Sequence, residues 1–283
     1  VAEASAPASS GNLGPGFDTL AMALELRCRV HAEIADEWSA SHVGEHCLPD
    51  GAVDGVLEAA QAVVAQPLAM IVDNDIPLSR GLGSSSAAAA AAAACALATV
   101  GSPAEPEQIF ELVAKLEGHS DNAAATVYGG LIAIDGQGAP FVLDLHPRWV
   151  ILVAVPDYYL STPEARAALP LEVRREVVVR NLGRLTALIE GLKTGNADVL
   201  GRAGGDELHE APRAGLHPQA SLLIASARDA GASHAAWSGA GPSVLALCDE
   251  ATQPSVRSAL NAALDGQGRV IQFELASEGL TVL

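Results

Sequence analysis

Lysine is almost missing from this chain. Of 283 residues, 16 are basic, and all of these are arginine except Lys115 and Lys193. No G-K-[ST] stretch occurs anywhere, which excludes a Walker loop. Chemistry on a phosphate would have to use backbone amides, arginine and metal. Cysteine is scarce as well: Cys28, Cys47, Cys95 and Cys248 lie far apart with no CxxC pair, which argues against zinc. They read as buried reduced thiols, with Cys95 in an apolar helix and Cys248 ending an apolar strand. Positive charge is in deficit, with a formal net charge of −18. That argues against a broad nucleic-acid-binding face. An anionic small molecule stays open, because a pocket needs only a few local cations. No basic start is followed by an apolar run, so no signal peptide is expected. The apolar run Ala87–Leu97 is too short and too alanine-rich to span a bilayer. The expectation is a cytoplasmic protein with no membrane partner. No internal repeat or long linker breaks the chain.

What is present suits a compact soluble protein and not a disordered one, with 49% hydrophobic and 18% charged residues. Val1–Ala8 is small and apolar, and "SSGNLGPGFD" then reads as a loop. Thr19–Glu33 reads as a strand, Val53–Val64 as a helix and Leu68–Val72 as a buried strand. Pro106 suits a helix start and Gly118 its end. Strands are predicted in "YGGLIAID", "PFVLDL" and "WVILVAVP". Pro163–Leu192 reads as helix broken at Pro170, and shorter helices run on to about Ala230. "ASHAAWSGAGPSVLALCD" reads as strand, glycine turn and strand. A helix over Pro254–Leu264 and a closing strand "RVIQFEL" complete the chain. A domain boundary is expected near Leu145–Arg148.

The segment "PLSRGLGSSSAAAAAAAACA" (Pro77–Ala96) carries a glycine-serine hinge on the front of eight consecutive alanines. A helix N-terminus presents unpaired N–H groups and partial positive charge, and a phosphate can satisfy both. Gly81 and Gly83 would let the backbone approach the anion without a Cβ in the way. Ser84, Ser85 and Ser86 would add hydroxyls for phosphate or metal. The plain alternative is an ordinary loop before a buried helix. A Rossmann fingerprint fits poorly, since the spacing is G-x-G-x-x-S and no acidic residue ends a nearby second strand. Protein-kinase signatures are absent.

Two more glycine-rich turns, "PASSGNLGPGFD" (Pro7–Asp18) and "SGAGPSVLAL" (Ser238–Leu247), lie at opposite ends of the chain. With the hinge between them, the three resemble the motifs of the GHMP kinases, the family of galactokinase, homoserine kinase, mevalonate kinase and phosphomevalonate kinase. "NLGPGFD", "EGHSDNAAATVYGG" (Glu117–Gly130), "STPEARAALP" (Ser161–Pro170) and "DELHEAPR" (Asp206–Arg213) are similar to segments of its homoserine-kinase branch. Gly11 departs from an alanine usual there, and Ala125 or Thr126 from a proline. The lysine-free first motif speaks against the mevalonate branch.

The resemblance implies a two-domain α+β GHMP fold. An N-terminal ribosomal-protein-S5-like ATP-binding domain would span 1–147 and a C-terminal ferredoxin-like α/β sandwich 148–283, the last strand open to returning to the first domain. It implies ATP and Mg²⁺ as cofactors and L-homoserine as substrate, with O-phospho-L-homoserine as product in threonine biosynthesis. A homodimer stays open. The nucleotide would lie on Pro77, Arg80, Gly81, Leu82, Gly83, Ser84, Ser85 and Ser86, and the metal on Ser85 and Glu117. Arg166 and Arg213 would grip the substrate carboxylate as an arginine fork. Asn12 and Asp18 would accept from its ammonium, with loop capping as their alternative role. Asp121 and Asn122 would stand at the reacting hydroxyl. Asp121 is open to three roles: proton acceptor, positioning group, or helix N-cap. His119 suits Mg²⁺ poorly and reads as structural or substrate-adjacent. The turn Ser238–Ser243 would close the cleft. Another small-molecule GHMP kinase, or a non-catalytic metabolite sensor, are the rival readings.

Overall fold

The computed structural model describes residues 1–46, 48 and 54–283. Cys47 and Val53 therefore lie outside the described residues. In chain order the first elements are β1 (Ala2–Gly11), β2 (Leu20–Ile34), β3 (Ser39–Val43), α1 (Gly55–Val63), β4 (Leu68–Asn74) and α2 (Ser84–Thr99). They continue with α3 (Pro106–Glu117), α4 (Asp121–Tyr128), β5 (Leu131–Ile134) and β6 (Pro140–Leu143). The remainder is β7 (Val150–Pro156), α5 (Thr162–Ala167), α6 (Arg175–Thr194), α7 (Ala197–Leu200) and a 3₁₀ turn at Gly201–Ala203. Then follow α8 (Glu210–Arg213), α9 (Pro218–Asp229), β8 (His234–Trp237), β9 (Val244–Cys248), α10 (Gln253–Leu264), β10 (Gly268–Phe273) and β11 (Thr281–Val282).

Two sheets result. The first runs β11-β1-β2-β4-β3, with β5 on β2 and β6 on β5. Its long strand β2 meets β5 through Leu20–Met22 and β4 through Cys28–Ile34, so one strand serves two neighbours along the same edge. The β1–β2 register shifts between Pro7 and Ala8, where proline has no N–H to give the ladder. The second sheet runs β10-β7-β9-β8 and is antiparallel throughout. The chain's end leaves that sheet, and β11 pairs with β1 in the first.

Two sequence expectations need correction, and one strand was not expected at all. Ser9, Ser10 and Gly11 are strand, not loop: they complete the ladder of β1 with β2 before the turn begins. Strand β3 escaped notice because its five residues, Ser-Ala-Ser-His-Val, carry little apolar pattern. Asp121 is the first residue of α4 and Ser120 precedes it as the cap, so the N-cap role falls away.

The alanine helix α2 is buried on almost every face. Methyl side chains let α1, α3, α4, β1 and β2 all pack against it. The second sheet shows period-two sorting. Ile151, Val153, Val155, Leu245 and Leu247 point into the core shared with the first sheet. Leu152, Ala154, Val244 and Ala246 point to a second core under α9 and α10. Both faces of β7 and β9 are thus buried, and one of them joins the two sheets. Cys28, Cys95 and Cys248 are buried and free, and burial pushes their thiols up to about 12, 11 and 11. Among the described residues no helix is long and apolar enough to cross a membrane.

Candidate active site

The three glycine-rich turns meet. Asn12 Nδ2 donates to the Gly239 carbonyl at 2.8 Å, and Gly239 N donates to the Gly11 carbonyl at 3.0 Å. Ser238 Oγ lies 2.6 Å from the Gly81 carbonyl and 2.8 Å from Ser10 Oγ. The glycines serve this meeting. Gly81 and Gly83 have φ of 71° and 67°, where side chains are disfavoured. A Cβ at Gly81 would collide with the Ser238 carbonyl, and one at Gly83 with Ser9 Oγ. The missing side chains therefore face neighbouring protein. This corrects the expectation that they clear a path for an anion.

Between the turns and α2 lies a cavity of about 680 Å³. Every residue expected at the site lines it: Asn12, Asp18, Pro77, Arg80 to Ser86, Glu117, Asp121, Asn122, Arg166 and Arg213. The first turn of α2 has no side-chain cap, because Gly83 holds the cap position. Its leading N–H groups are therefore left for a ligand.

The three serines differ in ways their sequence hides. Ser84 Oγ accepts from Asn74 Nδ2 at 2.8 Å, which ties the helix start to β4. Ser86 Oγ is buried and unpartnered. Ser85 is exposed, and its Oγ donates to Glu117 Oε2 at 3.0 Å. Of the three, only Ser85 presents an exposed hydroxyl, and it stands beside a carboxylate. Arg80 also departs from expectation. Its guanidinium donates to the carbonyls of Leu78, Pro156 and Asp157 and stacks 3.9 Å over Tyr159. It clamps the loop to the end of β7 while bordering the cavity.

At the other end of the cavity Arg166 and Asp18 form a two-bond ion pair at 2.7 and 3.1 Å. Burial works against the Arg166 charge, but Asp18 outweighs it and the guanidinium pKa is raised. Arg213 is 1% exposed. Burial first, and then the charge of Arg166, lower its pKa to about 10, which leaves it charged at neutral pH. Asn12 uses both ends of its amide inside the protein, since its Oδ1 accepts from Asp18 N at 3.0 Å. The loop-capping role is thus realised, though Asn12 still borders the cavity. Asn122 Oδ1 accepts from Ser9 Oγ at 3.0 Å. Asp121 is buried, with Oδ1 3.0 Å from His119 Nδ1. Burial opposes charge on His119, yet the hydrogen bond to Asp121 and the charges of Asp121 and Glu117 raise its pKa.

Sequence reasoning missed the part of the lining contributed by His42, Asp54, Val56 and Val72. One signal was available: Asp54 accepts from Val56 N as the N-cap of α1. It also missed Asn74, which borders the cavity and holds Ser84, and His209, which lies outside the lining and holds Arg213.

This pairing of folds and motifs defines a GHMP kinase. The family model described as "GHMP kinases N terminal domain" matches residues 48–130, and "GHMP kinases C terminal" matches residues 188–266. A homoserine kinase of Moorella thermoacetica is 39% identical, the match covering 93% of this chain and 92% of that protein. One of Desulfitobacterium hafniense is 33% identical, with 98% of each covered. The chain belongs to the homoserine kinase family of the GHMP kinases. The crystal structure of homoserine kinase from Cytophaga hutchinsonii shares the fold, with a TM-score of 0.86 at 23% identity over 100% of this chain and 97% of that one.

Proposed function

We propose that this protein transfers the terminal phosphoryl group of ATP to the side-chain hydroxyl of L-homoserine. The observation that carries the reading is the Arg166–Asp18 pair beside buried Arg213, all three bordering the cavity whose other end is the first turn of α2. A guanidinium and a carboxylate bonded to each other are a template for a zwitterion. An α-amino acid offers a carboxylate to the arginines and an ammonium to Asp18. ATP use follows from the kinase family, and the nucleotide phosphates would lie on residues Gly81 to Ser86 through backbone N–H groups. Asp121 and Asn122 would hold the hydroxyl, and Asp121 either takes its proton or orients it.

Mg²⁺ fits what is present. Ser85 Oγ and Glu117 Oε2 are hard oxygen donors 3.0 Å apart. No group of three or more His, Cys, Asp or Glu among the described residues is arranged for a metal. A cation sharing one or two protein oxygens with phosphates and water suits that economy of ligands. When bound it would neutralise charge on the transferring phosphoryl group. The division between domains at residues 147 and 148 is part of the proposal; it falls between β6 of one sheet and β7 of the other.

The test is a substrate panel with ATP and Mg²⁺: L-homoserine, homoserinol, 4-hydroxybutyrate and mevalonate, with product identified by mass and phosphorus NMR. Strong preference for L-homoserine is expected. Equal use of homoserinol would remove the carboxylate clamp. No turnover on any member, with ATP and homoserine still bound, would favour a sensor.

A further inference from the structure

His209 does not border the cavity, yet it holds what does. The residue is fully buried, on the segment that leads into α8. Arg213 Nη1 lies 3.1 Å from His209 Nδ1, and His209 Nε2 lies 2.8 Å from the Gly14 carbonyl. The partners decide the tautomer. A carbonyl oxygen can only accept, so Nε2 carries the hydrogen. A guanidinium N–H can only donate, so Nδ1 carries a lone pair. The Phe17 ring stacks on the imidazole at 5.1 Å and 20°. Asp206 Oδ2 accepts from the backbone N–H of His209 and fixes where the ring starts. Arg213 Nε donates to the Ala165 carbonyl. With Nε and Nη1 both held by protein, Nη2 is the part of the fork left for a ligand.

We infer that His209 is a positioning residue for the substrate carboxylate: its Nδ1 lone pair sets the angle of the Arg213 guanidinium, and its Nε2 hydrogen ties that arginine to the turn bearing Asp18. One neutral ring thereby spaces the two arms that receive the ends of a zwitterion. The inference rests on the proposed function, in which Arg213 meets that carboxylate. Burial and the Arg213 charge lower the pKa of His209 against the opposing effect of Asp206, consistent with a neutral ring. A protonated ring would point N–H at N–H.

Two isosteric variants separate the two bonds. His209→Asn places an oxygen near the Nδ1 position and abandons Gly14. His209→Gln places an N–H near the Nε2 position and abandons Arg213. His209→Gln should raise the homoserine KM about tenfold, the worth of one hydrogen bond to a charged group. His209→Asn keeps the bond that aims Arg213 and loses only the tether to Gly14, so it should raise the homoserine KM by clearly less. The ATP KM and kcat should move less than about twofold in either, since the nucleotide lies on α2. In an Arg213→Ala background His209→Gln should add little, because the two residues act as one unit. Equal KM changes in the Asn and Gln variants, or equal changes in the ATP KM, would overturn the inference. Wild-type protein with ¹⁵N-labelled histidine gives a readout independent of any variant's folding. It should show the Nε2–H tautomer for His209, and an Nδ1–H or doubly protonated ring at neutral pH would overturn it. Wild type that ignores homoserine would sink the proposed function instead. A strong Arg213→Ala effect with a silent His209→Gln would sink only the role of His209.

Discussion

Arg213 keeps a full charge at 1% exposure, and Arg166 beside it is already engaged by Asp18. The two arginines should therefore respond differently to change. Replacing Arg213 by alanine removes a charge-assisted bond worth about 1.5–3 kcal/mol. The expected loss in kcat/KM for homoserine is roughly ten- to a hundredfold, at about 1.4 kcal/mol per decade. Lysine should rescue only partly, since it keeps charge without the fork. The ATP KM measured in parallel should barely move. Asp18→Asn acts through the pair: it removes the acceptor for an ammonium but releases Arg166. Use of L-homoserine should fall while use of 4-hydroxybutyrate rises relative to wild type. An unchanged ratio of the two kcat/KM values would show that Asp18 does not read the ammonium.

At the scale of elements, α2 and α8 set the site. Ala91 lies in the middle of α2 at 0% exposure, with packing on all sides. Ala91→Leu overfills that space and should cost about 1–3 kcal/mol, read as a lowered Tm. A Tm equal to wild type would mean that the alanines are not needed for close approach. Helix α8 is held to the second sheet by Glu210, whose Oε1 accepts from Trp237 N at 2.7 Å. The residue keeps some surface, but protein walls in its carboxyl, and burial pushes the pKa up to about 8 from the ordinary 4.5. The folded state then holds a proton that the unfolded state has already lost. Stability is greatest below the unfolded value and falls as pH rises from about 4.5 to about 8. Glu210→Gln cannot lose that proton. The Tm of this variant minus that of wild type should grow with pH across the window. A constant difference would show that Glu210 stays charged in the fold.

For the whole molecule, charge is the governing quantity. The chain carries a formal −18, and ATP is an anion. Long-range repulsion should slow their encounter, and salt screens it. The KM for MgATP should thus fall as monovalent salt rises from low values to about 0.15 M, where the Debye length is about 8 Å. A KM that rises with salt would show that local arginines outweigh the global field. The last strand bears on the same scale. By pairing with β1, β11 returns the chain to the sheet that carries the first glycine turn.

The sequence by itself determined which chemistry is available: a glycine-serine hinge on a helix of methyl groups, two carboxylates near a histidine, arginines and almost no lysine. It also set most helices and strands, because Pro106, Gly118 and the apolar alternation of β7 act locally. Strand β3, with weak patterning, was beyond that reach. Only the tertiary structure decided how each polar group is employed. Arg80 reads as a phosphate ligand from its neighbours, but its partners are carbonyls 76 and 77 residues away. Arg166 and Asp18 are 148 residues apart, and His209 and Gly14 are 195 apart. Ser84, Ser85 and Ser86 are one residue type in a row, yet one is tied to Asn74, one is exposed beside Glu117 and one is buried without a side-chain partner. A hydrogen bond exists over a few tenths of an ångström and a narrow range of angle. Those coordinates are set by how distant segments pack, and so residue order alone does not contain them.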